Sequence, residues 1–164
     1  MSAELLNAVY ASCAASSFFQ SALAQDPNLT GASAIFKART NFDPPVFDCL
    51  TYTCSTSMPD RRFDAVIQGG SAAPVESFRV DFAYYTAGDD TAPIEAALGA
   101  GGEVDVLFRL AAGFSLTDSS GDAAGNVFRV ACLTRQMGLY DEKLHKLFGL
   151  ASYLFYVQFP AVNG

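Results

Sequence analysis

The chain of 164 residues lacks tryptophan, has one histidine and contains few basic residues. Lys and Arg number 10 against 17 Asp and Glu, which gives a formal charge of −7. Nucleic-acid binders concentrate Lys and Arg on one face, so this balance predicts poor affinity for DNA and no sequence-specific nucleic-acid partner. No uninterrupted apolar run reaches about 18 residues, so we expect no membrane span.

Cysteine is present, but without the spacing of a metal site or a disulfide framework. The sequence has no Cys-x-x-Cys pair, and a chain of this length needs no disulfide bond to hold a core. Cys49 and Cys54 fall in a predicted strand, where their spacing points them to opposite faces. We therefore expect the 4 cysteines to be reduced and packed.

The N-terminal segment lacks the pattern of a signal peptide. Its early charge is Glu4, and no basic residue precedes the apolar stretch. We expect a protein made in the cytoplasm. Because 51% of the residues are hydrophobic and the length suits one core, residues 1–164 are predicted to form a single domain.

Apolar spacing predicts the elements of the first half. Residues 4–24 have helical spacing and are predicted to form one helix. Residues 34–40 alternate apolar and basic side chains, which predicts an edge strand with Lys37 and Arg39 on one side. Residues 46–55 are rich in β-branched and aromatic side chains and predict a second strand.

The next strand has the clearest alternation in the chain. Over residues 78–84, apolar side chains at every second position alternate with Arg79 and Asp81, so the strand should bury one face. A second helix is predicted from Pro93 onward, with Asp90 or Thr91 as its cap. Glycines at positions 99, 101 and 102 should weaken or break this helix.

Two apolar runs close the sequence. Residues 128–134 and 150–159 read as strands, and the charged link between them is predicted to turn one back onto the other at the heart of the sheet. Residues 118–126 precede this pair as a polar loop. The order of elements predicts an α+β fold in which a mostly antiparallel sheet packs against two helices.

Residues that could act in catalysis or bind a metal are present, but the partner residues that such sites require are missing from the sequence pattern. His145, with Asp141 and Glu142, could form a metal or acid–base cluster, but a zinc helix needs two histidines one turn apart. Asp118, Asp122 and Asn126 resemble a calcium loop only loosely. Neither glycine pair fits a phosphate loop, and no serine sits in a nucleophile elbow. We predict no catalytic residue, metal site or cofactor, although a metal, a calcium loop and a triad using His145 stay open.

Aromatic residues are abundant, with 14 Phe and 7 Tyr. The alternation of the predicted strands does not bury all of these aromatic side chains. We therefore expect that most pack in the core and that the rest lie in a subunit interface. Those with no clear place in the core are Phe18, Phe19, Phe42, Tyr84, Tyr85, Tyr153 and Tyr156. The predicted subunit-interface residues are Phe18, Phe19, Lys37, Arg39, Tyr85 and Tyr153.

The order of elements resembles the tail-terminator and neck, or minor-tail, proteins of long-tailed bacteriophages. The resembling stretches are an N-terminal helix, the segment DPPVFDCLTYT, a strand that runs into a helix (ESFRVDFAYYTAGDDTAPIEAALGAGGEVDVLF), and the last pair, VFRVACLTRQMGLYDEKLHKLFGLASYLFYVQF. These are patterns of element type, and they cover most of the chain.

The resemblance implies a structural virion protein that is not an enzyme. Such a subunit forms a ring, expected to be a homohexamer, that caps the tail tube and joins it to the head. Its partners would be other copies of itself, the tail tube protein and the head-completion or neck proteins, within the virion and without a membrane. The alternative is a small-molecule-binding or enzymatic α+β domain with a pocket between sheet and helices. The assembly state distinguishes the two.

Overall fold

A computed structural model describes residues 2–23, 34–37, 48–55, 58–59 and 75–160. Arg39, Phe42 and residues 43–47 of the DPPVFDCLTYT segment lie outside the described residues, as do residues 56–57 and 60–74. The described helices are α1 (Ser2–Ala15), α2 (Ser17–Leu23), α3 (Ala92–Leu98) and a π-helix (Asp105–Arg109). The described strands are β1 (Ile35–Lys37), β2 (Cys49–Cys54), β3 (Met58–Pro59), β4 (Val75–Thr86), β5 (Phe114–Thr117), β6 (Ala123–Asp141) and β7 (Lys146–Gln158).

The strands form one sheet in the order β1-β2-β4-β7-β6-β5, with β3 also paired to β4. The pairing of β1 with β2 is parallel, and the other described pairings are antiparallel. The chain is thus a mixture of helices and sheet, as predicted, but the sheet is mixed. The expectation of two helices is wrong, because the described residues contain four.

The predicted N-terminal helix is divided in two at Ser16. The Ser16 hydroxyl accepts a hydrogen bond from the Phe19 backbone N–H at 3.3 Å, which is the arrangement of a serine that caps a new helix. The Ser16 N–H bonds to the Cys13 carbonyl at 3.2 Å and closes the preceding helix. The Ser16 hydroxyl also donates to Glu103 at 2.6 Å, which ties this break to the segment before the π-helix.

Strand β4 confirms the alternation expected from its sequence. Phe78, Val80, Phe82 and Tyr84 are buried on one face, and Arg79 is exposed on the other. Cross-strand pairing places Val80 opposite Tyr153 and Phe82 opposite Ala151 on β7. The core lies on this face, beneath α1, α3 and the π-helix.

The last two strands confirm the predicted central pair but are longer than predicted. β7 lies between β4 and β6, and a turn at residues 142–145 joins it to β6. The register between β6 and β7 shifts around Phe128, Leu133 and Met137–Gly138, so β6 contains three β-bulges. Each bulge changes the phase of alternation, which explains why a strict period of two finds only part of β6.

The predicted second helix breaks at its glycines, as expected. α3 ends at Leu98, and Gly99 takes an extended conformation with ψ 173° while its N–H bonds to the Glu95 carbonyl at 2.8 Å. The backbone then turns at Gly101, whose φ of 72° lies in the left-handed region that favours glycine. The π-helix begins four residues later, at Asp105. At the other end of α3, Thr91 is the N-cap residue but makes no side-chain capping bond, and the Asp90 side chain accepts the Ala92 N–H at 2.9 Å. Among the described residues, no helix is long and apolar enough to cross a bilayer.

Candidate functional site: a buried aspartate beneath an arginine groove

Asp105 is a fully buried carboxylate at the start of the π-helix. Its Oδ2 accepts hydrogen bonds from Arg109 Nη2 at 2.8 Å and from the Gly101 N–H at 2.9 Å. Arg135 Nη2 lies 2.6 Å from both carboxylate oxygens, and the Tyr153 hydroxyl donates to Oδ1 at 2.7 Å. Four separate parts of the chain therefore meet on one side chain.

The pKa of Asp105 is set by two opposed effects. Burial alone would raise the pKa of a carboxyl group, because it disfavours the charged form. The hydrogen bonds from Arg109, the Gly101 N–H, Tyr153 and Arg135 outweigh burial and hold the pKa well below its ordinary value of 3.8. The carboxylate is thus ionised near neutral pH, and it is an anchor for cations rather than an acid or base.

Local sequence explains why these groups converge. The left-handed Gly101 aims its N–H at the carboxylate, and the π-helix brings Arg109 onto the same side as Asp105. Arg135 pairs with Ala151, whose small side chain leaves room for the arginine on the core face of the sheet. Tyr153 lies on the same face one alternation further along β7.

A groove of about 470 Å³ opens beside this cluster. Its lining includes three arginines, Arg109, Arg129 and Arg135, together with Val130, Ala131 and Cys132. The Arg129 guanidinium lies 5.4 Å from the centre of the Tyr156 ring, and that of Arg135 lies 5.9 Å from the Tyr153 ring. Aromatic contacts of this kind hold a guanidinium in place without neutralising it. The groove is therefore a fixed, positively charged surface on an acidic protein.

The groove follows an open edge of the sheet. β5 pairs with β6 only over residues 123–127, so from Arg129 to Asp141 the described strands pair with β6 on one side alone, through β7. Large apolar side chains are exposed along this edge and on the adjoining π-helix segment: Phe128 (38%), Leu133 (47%), Val106 (50%) and Leu110 (60%). Phe128 and Leu133 are the residues that two of the bulges place out of register. An open edge with exposed apolar side chains is typical of a contact surface.

A second buried carboxylate, Asp48, holds neighbouring groups in place through hydrogen bonds. It accepts hydrogen bonds from the Tyr84 hydroxyl at 2.8 Å, the Thr86 hydroxyl at 3.3 Å and the Ala87 N–H at 2.7 Å. Burial, followed by the charge of Asp48, raises the pKa of Tyr84 well above its ordinary value. Asp48 therefore lets a tyrosine hydroxyl lie in the core with a partner.

The predicted interface residues do not meet at one place. Phe19 and Tyr153 are fully buried, so the prediction that they face another subunit is corrected: both are core residues of this chain. Phe18 is half-buried, with its ring 5.3 Å from that of Phe19. Tyr85 is half-buried and stacks on Phe148 at 5.4 Å. Lys37 is exposed at the end of β1, and Arg39 lies outside the described residues.

The premise of an aromatic surplus is also corrected in part. Tyr84, Tyr153 and Tyr156 are buried. The first two can be buried because Asp48 and Asp105 accept hydrogen bonds from their hydroxyl groups. The core thus takes more of the aromatic residues than alternation indicated, and the exposed aromatics of the described chain are Tyr10, Phe128 and Tyr140.

The two loops considered for metals are ordinary turns. Asp118 Oδ1 accepts the N–H groups of Ser120 and Asp122 at 2.8 and 2.9 Å, which closes the turn between β5 and β6. His145 is exposed in the turn between β6 and β7, with φ 52°, and its Nδ1 lies 3.2 Å from the Tyr140 hydroxyl. Within the described residues, no group of three or more His, Cys, Asp or Glu side chains is placed to hold a metal ion.

Sequence reasoning missed Asp105, Arg109, Arg129 and Arg135. One signal was available: Asp105 and Arg109 are spaced for an ion pair directly after a glycine-rich break. The contribution of Arg135 was not visible, because 30 residues separate it from Asp105. The sequence matches no protein-family model, and no curated protein is significantly similar to it.

Proposed function

We propose that the chain is a structural subunit of a phage virion that associates with copies of itself into a ring, as a tail terminator does. In that role the ring, expected to be a homohexamer, caps the tail tube and joins it to the head-completion proteins. The single observation that carries the proposal is the open edge of β6 from Arg129 to Asp141, flanked by exposed apolar side chains. Contact with another copy would cover this surface, and covering an edge prevents uncontrolled pairing.

The location of the open edge changes which surface we expect to meet a neighbour. The sequence favoured the strand around Lys37, but the longer open edge among the described strands belongs to β6. The groove and the open edge lie together on one side of the chain. If they contact a different surface of the next copy, the arrangement of the copies is head-to-tail. Head-to-tail contacts either close into a ring or grow into a filament.

The groove itself favours the second candidate, a small-molecule-binding domain. Its volume of about 470 Å³ falls within the range of ligand sites, and three arginines would select an anionic ligand. The groove is open and is lined by β6 and by Arg109 of the π-helix, whereas ligand pockets bury most of the ligand. A structural contact therefore accounts better for the exposed Leu110 and Leu133 beside it.

The test is the mass of the assembly. Native mass spectrometry and negative-stain microscopy should be carried out on the full chain alone and after mixing with assembled tail tubes. A closed ring in either sample is the expected result. A monomer in both samples contradicts the structural proposal, and a monomer that binds an anionic metabolite in the groove would establish the alternative.

A further inference from the structure

We propose that the arginine groove receives the hairpin tip of a second copy of this chain. The hairpin tip is defined as Tyr140, Asp141 and Glu142, where β6 ends and the turn to β7 begins. This inference rests on the proposed ring function and names the two surfaces that meet. The contacts would be carboxylate to guanidinium, with the Tyr140 ring against the apolar rim of the groove.

The charge of the groove identifies an acidic partner. Three of the 10 basic residues of the chain line it, although the chain as a whole carries −7. Asp105 is the one carboxylate bonded to these arginines among the described residues, and it bonds to two of them. The groove thus retains an excess of positive charge that carboxylates from a partner would complement.

One of the arginines, Arg129, has donors left for a ligand. Arg129 is exposed, held against Tyr156, and forms no ion pair with any described residue. Guanidinium groups fixed in this way suit bidentate contact with a carboxylate.

The rim of the groove favours a protein partner over a nucleic acid. Leu110 follows Arg109 and is 60% exposed, and Leu133 lies between Cys132 and Arg135 and is 47% exposed. A phosphate backbone offers no apolar surface to cover them, and the overall negative charge opposes nucleic acid. A carboxylate could bind the arginines of the groove, and an aromatic ring beside it could cover the exposed leucines of the rim.

The hairpin tip has these features. Tyr140 is 55% exposed, and its hydroxyl lies 3.2 Å from His145 Nδ1, which limits the rotation of the ring. Glu142 is exposed. Asp141 accepts the N–H groups of Lys143 and Leu144 at 2.9 and 3.0 Å, so the turn that presents Glu142 is held in shape. Lys143 is the one opposing charge in the turn itself, and it is exposed.

The tip cannot reach the groove of its own chain. Cys132 and Glu142 lie on the same strand and turn, and an extended chain rises roughly 3.3 Å per residue, which separates them by on the order of 25 Å even with the bulges. The pairing of β6 with β7 up to Asp141 keeps this part extended. The contact must therefore join two copies, and because groove and tip are different surfaces it is head-to-tail.

Cross-linking through a native thiol tests the contact directly. Cys132 lines the groove, so a Glu142→Cys variant of the full chain should link to Cys132 of another copy with a short bis-maleimide. We expect a ladder of covalent oligomers, with the link identified by peptide mass mapping. Adding Cys132→Ser should remove the ladder, and Asp89→Cys, in another exposed turn, should not produce that link.

Charge reversal provides a second readout. Arg129→Glu and Glu142→Arg should each weaken association by about tenfold or more, and the two together in one chain should restore most of it. Lys143→Glu, which adds a carboxylate to the turn, should strengthen association, and Asp89→Arg should leave it unchanged. Thermal unfolding of each variant checks that it remains folded.

The outcomes separate this inference from the proposed function. Rings of normal mass without a link to Cys132, and without an effect of either reversal, would overturn the groove–tip contact and leave the ring proposal standing. Linked open chains that never close would support the contact and contradict the ring. A monomer in every sample, with tail tubes included, would overturn both.

Discussion

At the scale of single residues, the most consequential arrangement is the burial of charge and hydroxyl groups in matched sets. Asp105 joins Arg109, Arg135 and Tyr153, and Asp48 joins Tyr84. Removing one member of such a set leaves the others buried without a partner, which is among the costlier single changes in a protein.

Asp105→Asn should lower the free energy of unfolding by about 3 kcal/mol, because an amide cannot accept from all four donors and leaves the arginines uncompensated. Tyr153→Phe removes a single hydrogen bond and should cost only about 1 kcal/mol. Urea denaturation of both variants measures the difference. Equal, small effects would mean that the carboxylate does not organise this cluster.

The pH dependence of stability should carry the signature of Asp105. Its pKa in the folded state lies below the ordinary 3.8, so the unfolded chain binds the proton more readily. The contribution of Asp105 is present above that ordinary value and is lost as pH falls below it towards the folded pKa. The difference in unfolding free energy between wild type and Asp105→Asn should therefore shrink in acid. A difference independent of pH from 7 down to the acid transition would contradict this assignment.

Thiol reactivity should divide the cysteines by burial. Burial raises the pKa of Cys13 and of Cys49 from 9.0 to about 12, so neither presents a thiolate near neutral pH. Cys54 and Cys132 are only half-buried. Titration of the native chain with a thiol reagent at pH 8 should label Cys54 and Cys132 first, and Cys13 and Cys49 only after unfolding. Early labelling of Cys13 would contradict the packing of α1.

At the scale of elements, close approach between α3 and the sheet depends on one glycine. A Cβ at Gly149 would lie 2.3 Å from Ile94 Cγ2 and 3.3 Å from the Gln136 carbonyl oxygen. Gly149→Ala should therefore destabilise the chain by roughly 1–3 kcal/mol through overpacking. Gly88→Ala is the matched control, since its nearest neighbours are 3.9 Å away and the effect should be small. Thermal unfolding distinguishes them, and similar melting temperatures would show that α3 is free to shift.

The two faces of β4 should respond unequally to truncation. Phe82 is 1% exposed and lies 5.9 Å from the Phe108 ring and 5.8 Å from the Tyr153 ring. Phe82→Ala should cost roughly 3–5 kcal/mol by leaving a cavity. Arg79→Ala removes an exposed side chain whose partners are Asp81 and Ser152, and should cost far less. Equal losses in denaturant melts would contradict the assignment of faces.

The elements that sequence predicted well are those with undisturbed periodicity. β4 alternates without a bulge, and its buried set follows from the positions of Phe78 and Val80. The alternation of β6 is irregular, because the bulges at Phe128 and Leu133 shift which positions face the core. The break at Ser16 depends on a local cap that competes with a continuous apolar pattern. The Asp105 cluster combines residues distant in sequence, and no local pattern specifies which arginine meets which carboxylate.

At the scale of the whole molecule, an acidic chain that concentrates cations at one edge should associate in a salt-dependent way. If the groove meets carboxylates of a neighbour, added salt screens the attraction between them. We expect association to weaken by about tenfold between 50 mM and 500 mM sodium chloride, with a smaller change for Arg129→Gln. Arg79→Gln, an equal loss of charge elsewhere, is the control. Sedimentation velocity across the salt series measures this, and association that strengthens with salt would point to a purely apolar contact.

The tyrosine–aspartate pairs have a consequence for how the chain finds its fold. A slip of β7 by one residue against β4 would move Tyr153 to the opposite face and leave Asp105 facing an apolar or small side chain. The same slip would move Phe155 and Val157 away from their buried positions, so apolar packing also opposes it. The hydroxyl of Tyr153 on Asp105, and that of Tyr84 on Asp48, make the correct register the one in which buried carboxylates find their donors. A misaligned sheet therefore loses hydrogen bonds to buried carboxylates as well as apolar contacts, and the two losses together favour the native alignment.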